Sequence, residues 1–238
     1  MKRCPSCRRT YPDDAGFCTV DGGRLTASVL LEQATLFGGE TSVAERYDLV
    51  GLIADGAMGR VFEAKDRTSG DLVALKVLHP QLVADEIAVE RFRREYDVNK
   101  RIDNPYVIRV LDFVDLPSGA GQAMIMELLF GEDLRATLER AKVLEPEHVL
   151  RVLSQISLAL DAAHATQIVH RDLKPENVFL ADSPTGERVR LLDFGSVRDR
   201  SGNLRRLTVL GTTIGSPLYM APEQAQALDT LDHRADVW

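Results

Sequence analysis

The sequence predicts an α+β protein of two lobes, one β-rich and one mainly helical, and two patterns carry that prediction. Five short β-favouring segments, with one charged helix among them, occupy residues 47–129. From residue 130 onward the periodicity turns helical, with apolar side chains at three- and four-residue steps through Pro146–Thr166. Strands gathered before helices, rather than alternating with them, mark the α+β class.

Taken in order, residues 1–27 are rich in Cys, Gly, Pro and Asp and read as a small separate module. Residues 28–46 read as a connector, with a short helix expected around Val29–Leu36 before Gly38-Gly39. The main domain is expected over 47–238, divided into 47–129 and 130–238. In its first half, Tyr47–Ala54 and Arg60–Asp66 are expected strands around a glycine-containing turn, and Leu72–Leu78 is a third. Ile87–Ile102 is a charged helix, and Val107–Val114 and Ala123–Leu128 are two further strands. In the second half, Glu132–Ala141 is a short helix. Along Pro146–Thr166, the side chains of Val149, Leu153, Ile156, Leu160 and Ala163 share one face, which is expected to be buried. Pro146 suits a first-turn position, where its missing N–H has no helical partner to lose.

Composition narrows the function classes. At 238 residues and 45% hydrophobic, the chain can bury a sizeable core. A net charge of −7 gives no reason to expect a nucleic-acid or anionic-membrane partner. The cysteines number three and lie within the first eighteen residues, unlike a secreted disulfide framework. The start, Met1-Lys2-Arg3-Cys4-Pro5, lacks an apolar signal core, and no run of eighteen apolar residues follows. The expected location is cytoplasmic, with a membrane span after Trp238 left open.

The strongest signal is His170-Arg171-Asp172-Leu173-Lys174-Pro175-Glu176-Asn177, with Asp193-Phe194-Gly195 sixteen residues beyond Asn177. Phosphoryl transfer needs little covalent help, only an in-line hydroxyl and charge neutralisation at the γ-phosphate. In that chemistry Asp172 can orient a hydroxyl and accept its proton. Asn177 and Asp193 offer the hard oxygen ligands that Mg²⁺ prefers. Lys174 can reach a transferring phosphate as a point charge.

These motifs resemble those of the protein-kinase superfamily, in particular the bacterial eukaryotic-like serine/threonine kinases, over about Tyr47 to Trp238. The resemblance implies a five-stranded antiparallel N-lobe with one helix and a mainly helical C-lobe. It implies ATP and Mg²⁺, with Mn²⁺ as a substitute, and serine/threonine hydroxyls of proteins as acceptors. Lys174 in the catalytic loop is the serine/threonine-type feature. Val73-Ala74-Leu75-Lys76 looks like the third-strand lysine motif, so Lys76 would hold the α- and β-phosphates with Glu95 as its partner. Gly56-Ala57-Met58-Gly59 resembles the phosphate-covering loop, with Ala54 where a first glycine is usual. By the same alignment Val61, Ala74 and Phe179 would sandwich adenine, Met126 would be the gatekeeper, and the backbone of Glu127 and Leu129 would bond the adenine edge. The hydrophobic column through His170 and Phe194 would include position 99, where this chain has Asn99.

Regulation is expected in the segment before Gly215-Ser216-Pro217, with Thr208, Thr212 and Thr213 as phosphorylation candidates, Arg171 as their cationic partner, and self-association for autophosphorylation. At the N-terminus, Cys4, Cys7, Cys18 and Asp21 have the spacing of a zinc ribbon and are the expected Zn²⁺ ligands. Leu231–Trp238 looks like the start of the long C-lobe helix, so the kinase domain is expected to be C-terminally truncated, and this chain alone unstable or poorly active. The alternative function is a nucleotide-binding pseudokinase that signals without catalysis, for which Ala54 and Asn99 are the motivating departures.

Overall fold

A computed structural model describes residues 2–3, 10–11, 15, 17–20, 42–116, 119–194, 217–226 and 231–238. The chain separates into two compact units, one of Met1–Val83 with Phe113–Ile125, the other of Ala84–Asp112 with Met126–Trp238. The expected helix near Val29–Leu36 lies outside the described residues.

In the first unit, strands β1 (Lys2–Arg3) and β2 (Thr10–Tyr11) form an antiparallel pair. A six-stranded sheet, most of it in this unit, is built from β3 (Ser42–Val43), β4 (Tyr47–Asp55), β5 (Gly59–Asp66), β6 (Leu72–Leu78), β7 (Val110–Asp115) and β8 (Gln122–Glu127) in the order β3-β4-β5-β6-β8-β7. Five of these were expected. The sixth, β3, falls in the expected connector; two residues are too short to show a period, yet Val43 is fully buried and pairs with Tyr47 at the sheet edge. The fourth expected strand begins at Val110 rather than Val107, because Val107 instead makes a parallel bridge to Leu191.

Alternation sets the two faces of this sheet. Phe62, Ala64, Val73, Leu75 and Val77 point to one side and pack with Val43, Tyr47, Leu49, Leu116, Ala123 and Ile125 as the core. The end of β5 is held by Arg46, whose Nε and Nη2 donate to Asp66 Oδ1 and Oδ2 at 3.0 and 2.7 Å. That guanidinium holds the Asp66 carboxyl well below the usual range, at about 2, with the Thr68 amide adding to the effect. The folded value is depressed, so the contribution is present above the unfolded carboxylate value of about 4 and is lost as pH falls towards 2. Acid titration of the wild type against Asp66→Asn should therefore show their stability difference shrinking between about pH 4 and pH 2. A pH-independent difference would mean that the pair does not act through ionisation.

The second unit contains α1 (Glu86–Arg101), α2 (Leu134–Ala141), α3 (Pro146–Ala165), the short α4 (Pro222–Ala225), and a small sheet of β9 (Gly131–Asp133), β10 (Val178–Ala181) and β11 (Arg188–Leu191) in the order β11-β10-β9. Asp85 caps α1 by accepting from Ile87 N and Ala88 N, and Asp133 caps α2 by accepting from Ala136 N. The expected helix at Glu132 thus starts two residues later, because Gly131–Asp133 is drawn into pairing with β10. Only glycine suits position 131: its φ is +129°, and a Cβ would lie 2.1 Å from the Leu180 carbonyl oxygen.

The core of this unit joins Val98 of α1 and Ile102, which follows it, to Val152, Ile156, Ala159, Leu160 and Ala163 of α3, with Val178, Leu180, Val189, Leu191 and Phe194. The expected buried face of α3 is corrected here. Ile156, Leu160 and Ala163 are buried, but Leu153 is 53% exposed and Val149 only half-buried, because Val152 and Ala159 rotate the inward stripe by about one residue. Among the described residues no helix is long and apolar enough to cross a membrane.

Candidate active site

The second unit concentrates chemistry in the loop between α3 and β10. Asp172 Oδ2 lies 3.0 Å from Lys174 Nζ and accepts a hydrogen bond of 3.2 Å from Asn177 Nδ2. Asn177 Nδ2 also donates to the Asp172 carbonyl at 2.7 Å, folding the loop back on itself through the 3₁₀ turn Pro175–Asn177. Its side-chain hydrogen bonds among the described residues use that nitrogen, which leaves Oδ1 as an acceptor for a hard cation. The Leu192 amide donates to the Asn177 carbonyl at 2.9 Å, so Asp193 follows directly from a backbone tie to Asn177. Asp193 has φ +54°, in the left-handed region that Asp tolerates better than most residues. Two hard oxygen donors of this kind fit Mg²⁺, which keeps several waters and takes one or two protein ligands beside phosphate oxygens. No group of three or more His, Cys, Asp or Glu side chains forms a metal cluster among the described residues.

The loop is held from behind by a residue that the spacing argument did not single out. Asp236, with a fully buried side chain, accepts from the His170 amide at 2.8 Å and the Arg171 amide at 2.7 Å, and its Oδ2 lies 2.8 Å from His164 Nε2. Arg171 has φ +65°, a strained conformation fixed from both sides by Asp236 at its amide and by Gln224 Nε2 at its carbonyl, 2.7 Å away. His170 is fully buried. Its Nε2 donates to the Leu192 carbonyl at 2.9 Å while its Nδ1 accepts from the Asp172 amide at 3.3 Å, which defines the neutral Nε2–H tautomer. Its ring packs on Phe194 with centroids 4.6 Å apart. The expected start of a long helix at Leu231–Trp238 is a 3₁₀ segment, His233–Asp236, capped by Asp232. One signal for Asp236 was present in the sequence, a single acid between the apolar Ala235 and Val237. A cavity of about 430 Å³ opens under the loop, lined by Ile156, Leu160, Leu173 and Trp238 among others.

Asn99 is buried on α1, at 4% exposure. Its Nδ2 donates to the Glu95 carbonyl at 2.7 Å, but its buried Oδ1 has no hydrogen-bond partner among the described residues. A lone buried acceptor costs about 1–3 kcal/mol. Leu has the same branching, and the Glu95 carbonyl keeps its helical amide partner. Asn99→Leu is therefore expected to raise the Tm by several degrees, about 2–4 °C per kcal/mol, in a thermal melt. A fall in Tm would show that the amide is satisfied in solution.

The first unit places Val61 directly opposite Lys76, and Glu63 opposite Ala74, in the β5–β6 ladder. Val61, Ala74 and Lys76 therefore share the sheet face opposite the core. Gly59 is required by this ladder, since a Cβ there would lie 2.0 Å from the Val77 carbonyl oxygen. Gly56 and Gly59 bracket the β4–β5 turn, closed by Gly56 N donating to Gly59 O at 2.9 Å. In the second unit Glu95 is buried on α1, Met126 is buried near the end of β8, and Phe179 is half-buried on β10. Glu127 ends β8. Its amide donates to the Arg109 carbonyl at 3.0 Å, and its carboxylate lies 3.1 Å from Arg190 Nε. Leu129, half-buried, follows two residues later.

Of the expected zinc ligands, Cys18 is buried beside Tyr11 and Ala15, with the Val20 amide donating to its Sγ at 3.3 Å and the Tyr11 hydroxyl 3.0 Å away. Cys4, Cys7 and Asp21 lie outside the described residues, as do Thr208, Thr212 and Thr213.

Comparison with known proteins identifies the family. The model of the protein kinase domain family matches residues 47–238. The serine/threonine-protein kinase pkn3 of Myxococcus xanthus is 39% identical over 200 residues, covering 83% of this chain and 36% of that protein. The serine/threonine-protein kinase PknA of Mycobacterium tuberculosis is 38% identical over 191 residues, covering 79% of this chain and 43% of that protein. The chain thus spans less than half the length of these relatives. The crystal structure of the M. tuberculosis PknI kinase domain superposes with a TM-score of 0.62 at 29% identity, covering 82% of this chain and 68% of that one. Sequence, fold and loop geometry converge: the chain belongs to the protein kinase domain family.

Proposed function

We propose that the protein transfers the γ-phosphate of ATP to serine or threonine hydroxyls of proteins. The observation that carries this reading is the Asp172 carboxylate flanked by Lys174 and Asn177, in a loop tied by backbone to the residue before Asp193. Asp172 holds the acceptor hydroxyl and takes its proton. Lys174, already beside that carboxylate, offers positive charge to the phosphoryl oxygens. Mg²⁺, when bound, would supply charge neutralisation at the phosphates. The Asn177 Oδ1 and the Asp193 carboxylate would hold it.

The remaining roles rest on family membership together with the placements above. Lys76 with Glu95 would position the α- and β-phosphates, and the turn from Gly56 to Gly59 would cover them. Val61, Ala74 and Phe179 would enclose adenine beside Met126. Glu127, its amide already used, would present its carbonyl to the adenine edge, and Leu129 its amide. Thr208, Thr212 and Thr213 are proposed phosphorylation sites, reached by a second copy. Residues 1–27 are proposed as a zinc-binding module, 28–46 as a linker and 47–238 as the kinase domain. The zinc reading is supported by the backbone amide directed at Cys18 Sγ, a contact that favours a thiolate.

The test is incubation of the protein with ATP, Mg²⁺ and a protein acceptor, followed by phosphoamino-acid analysis. Label on serine or threonine is expected. ATP binding with no transfer to any acceptor would instead favour a non-catalytic nucleotide-binding role.

A further inference from the structure

The turn between β4 and β5 is gripped by a residue outside every motif considered so far. His79 lies immediately after β6, and its side chain is 12% exposed. Its amide donates to the Met58 carbonyl at 3.1 Å. Its ring Nε2 lies 2.7 Å from the Gly56 carbonyl oxygen and 3.3 Å from Asp55 Oδ1. A carbonyl can only accept, so Nε2 carries the hydrogen. Asp55 is itself fixed by Arg60, whose Nε donates to Oδ2 at 3.0 Å. The next residue, Pro80, restricts His79 to extended backbone, and its φ of −60° and ψ of 143° fit that restriction. The ring is thus presented to the turn by a stiff dipeptide.

Peptide planarity turns this grip into an orientation. The C=O and N–H of one trans peptide point in opposite directions. With the Gly56 carbonyl drawn towards His79, the Ala57 amide must face the other way. Ala57 is exposed, and its amide has no hydrogen bond among the described residues. An exposed amide held in one direction at a glycine-bracketed turn is a donor for an anion.

We propose that His79 is a positioning residue for nucleotide phosphate. It locks the Gly56–Ala57 peptide with the amide outward, and without it the peptide is free to rotate and the donor is lost. This deepens the ATP reading above and rests on it. The inference concerns the phosphates alone, because the ring and amide of His79 bond Gly56, Asp55 and Met58 of the turn.

The test compares binding of ATP and of adenosine, which lacks phosphates, by calorimetry on the whole chain. His79→Ala is expected to weaken ATP about tenfold, the size of one hydrogen bond to a charged acceptor, while adenosine affinity stays within about twofold. His79→Gln, which keeps an N–H at similar reach, should recover most of the loss. In ¹⁵N spectra, the shift of the Ala57 amide on adding ATP should shrink in His79→Ala. Equal weakening of ATP and adenosine would reduce His79 to a structural prop, and unchanged ATP affinity would also overturn the proposal. A wild-type chain that binds neither ligand would remove the nucleotide reading itself, and this inference with it.

Discussion

Asp172→Ala is expected to leave ATP bound and to lower phosphotransfer by about 10²–10⁴-fold, the usual contribution of a positioned general base. The split between binding and turnover follows from where the carboxylate sits. Its partners in the loop are Lys174 and Asn177, so its removal disturbs the acceptor side of the reaction and not the β5–β6 surface proposed for the nucleotide. Asp172→Asn sharpens the test. It preserves shape and can still accept from Asn177 Nδ2, but it cannot take a proton. If Asp172 acts as a base, Asn should be nearly as poor as Ala in kcat while stability stays near wild type. If the residue only organises the loop, Asn should recover most of the activity. Kd for ATP measured beside kcat decides between them, and unchanged turnover in either variant would end the role proposed for this side chain.

The sequence made the loop legible because phosphoryl transfer demands particular residue types at short spacing, and Asp172, Lys174 and Asn177 do meet within 3.2 Å. The strands β4 to β6 were readable because each runs for seven to nine residues and carries apolar, β-favouring side chains. What escaped has physical causes. A two-residue strand such as β3 has no period to detect. The α3 stripe was misplaced because leucines occur on several of its faces, and Leu150, Leu153 and Leu158 are all about half exposed or more. Apolar spacing alone could not decide which of them turned inward. The strands β9 to β11 were missed because runs of four residues or fewer are too short to show a period, whatever their polarity. Asp236 and His79 were not singled out as site residues for a different reason. Each acts on backbone groups distant in the chain, the Asp236 carboxylate on amides 65 and 66 residues away and the His79 ring on a carbonyl 23 residues away. Only the fold reveals such partners. Asn99 is the converse case: its polarity at an expected apolar position was legible, and its unpaired Oδ1 supplies the energetic consequence.

Asp236→Ala is expected to cost more stability than any other substitution considered. The fully buried carboxylate accepts two backbone amides, of His170 and Arg171, and sits beside His164 Nε2. Truncation strands both amides in the interior, at about 1–3 kcal/mol each, and frees Arg171 to leave its strained φ of +65°. A loss of about 3–5 kcal/mol lowers the Tm by roughly 6–20 °C at this chain length. Asp236→Asn should fall between the two, because one acceptor oxygen survives while its new NH₂ group faces a donor. The effect should also reach the chemistry. When Arg171 relaxes, the Asp172 amide loses its register with His170 Nδ1, and a displacement of about 1 Å at a reacting group costs on the order of a hundredfold in rate. Hydrogen exchange locates the damage: the His170 and Arg171 amides should lose protection in Asp236→Asn, whereas the Phe62 and Leu75 amides in the first unit should not. If those two loop amides stay protected and the melting temperature holds, Asp236 is not what fixes the catalytic loop, and the strain at Arg171 must be balanced elsewhere.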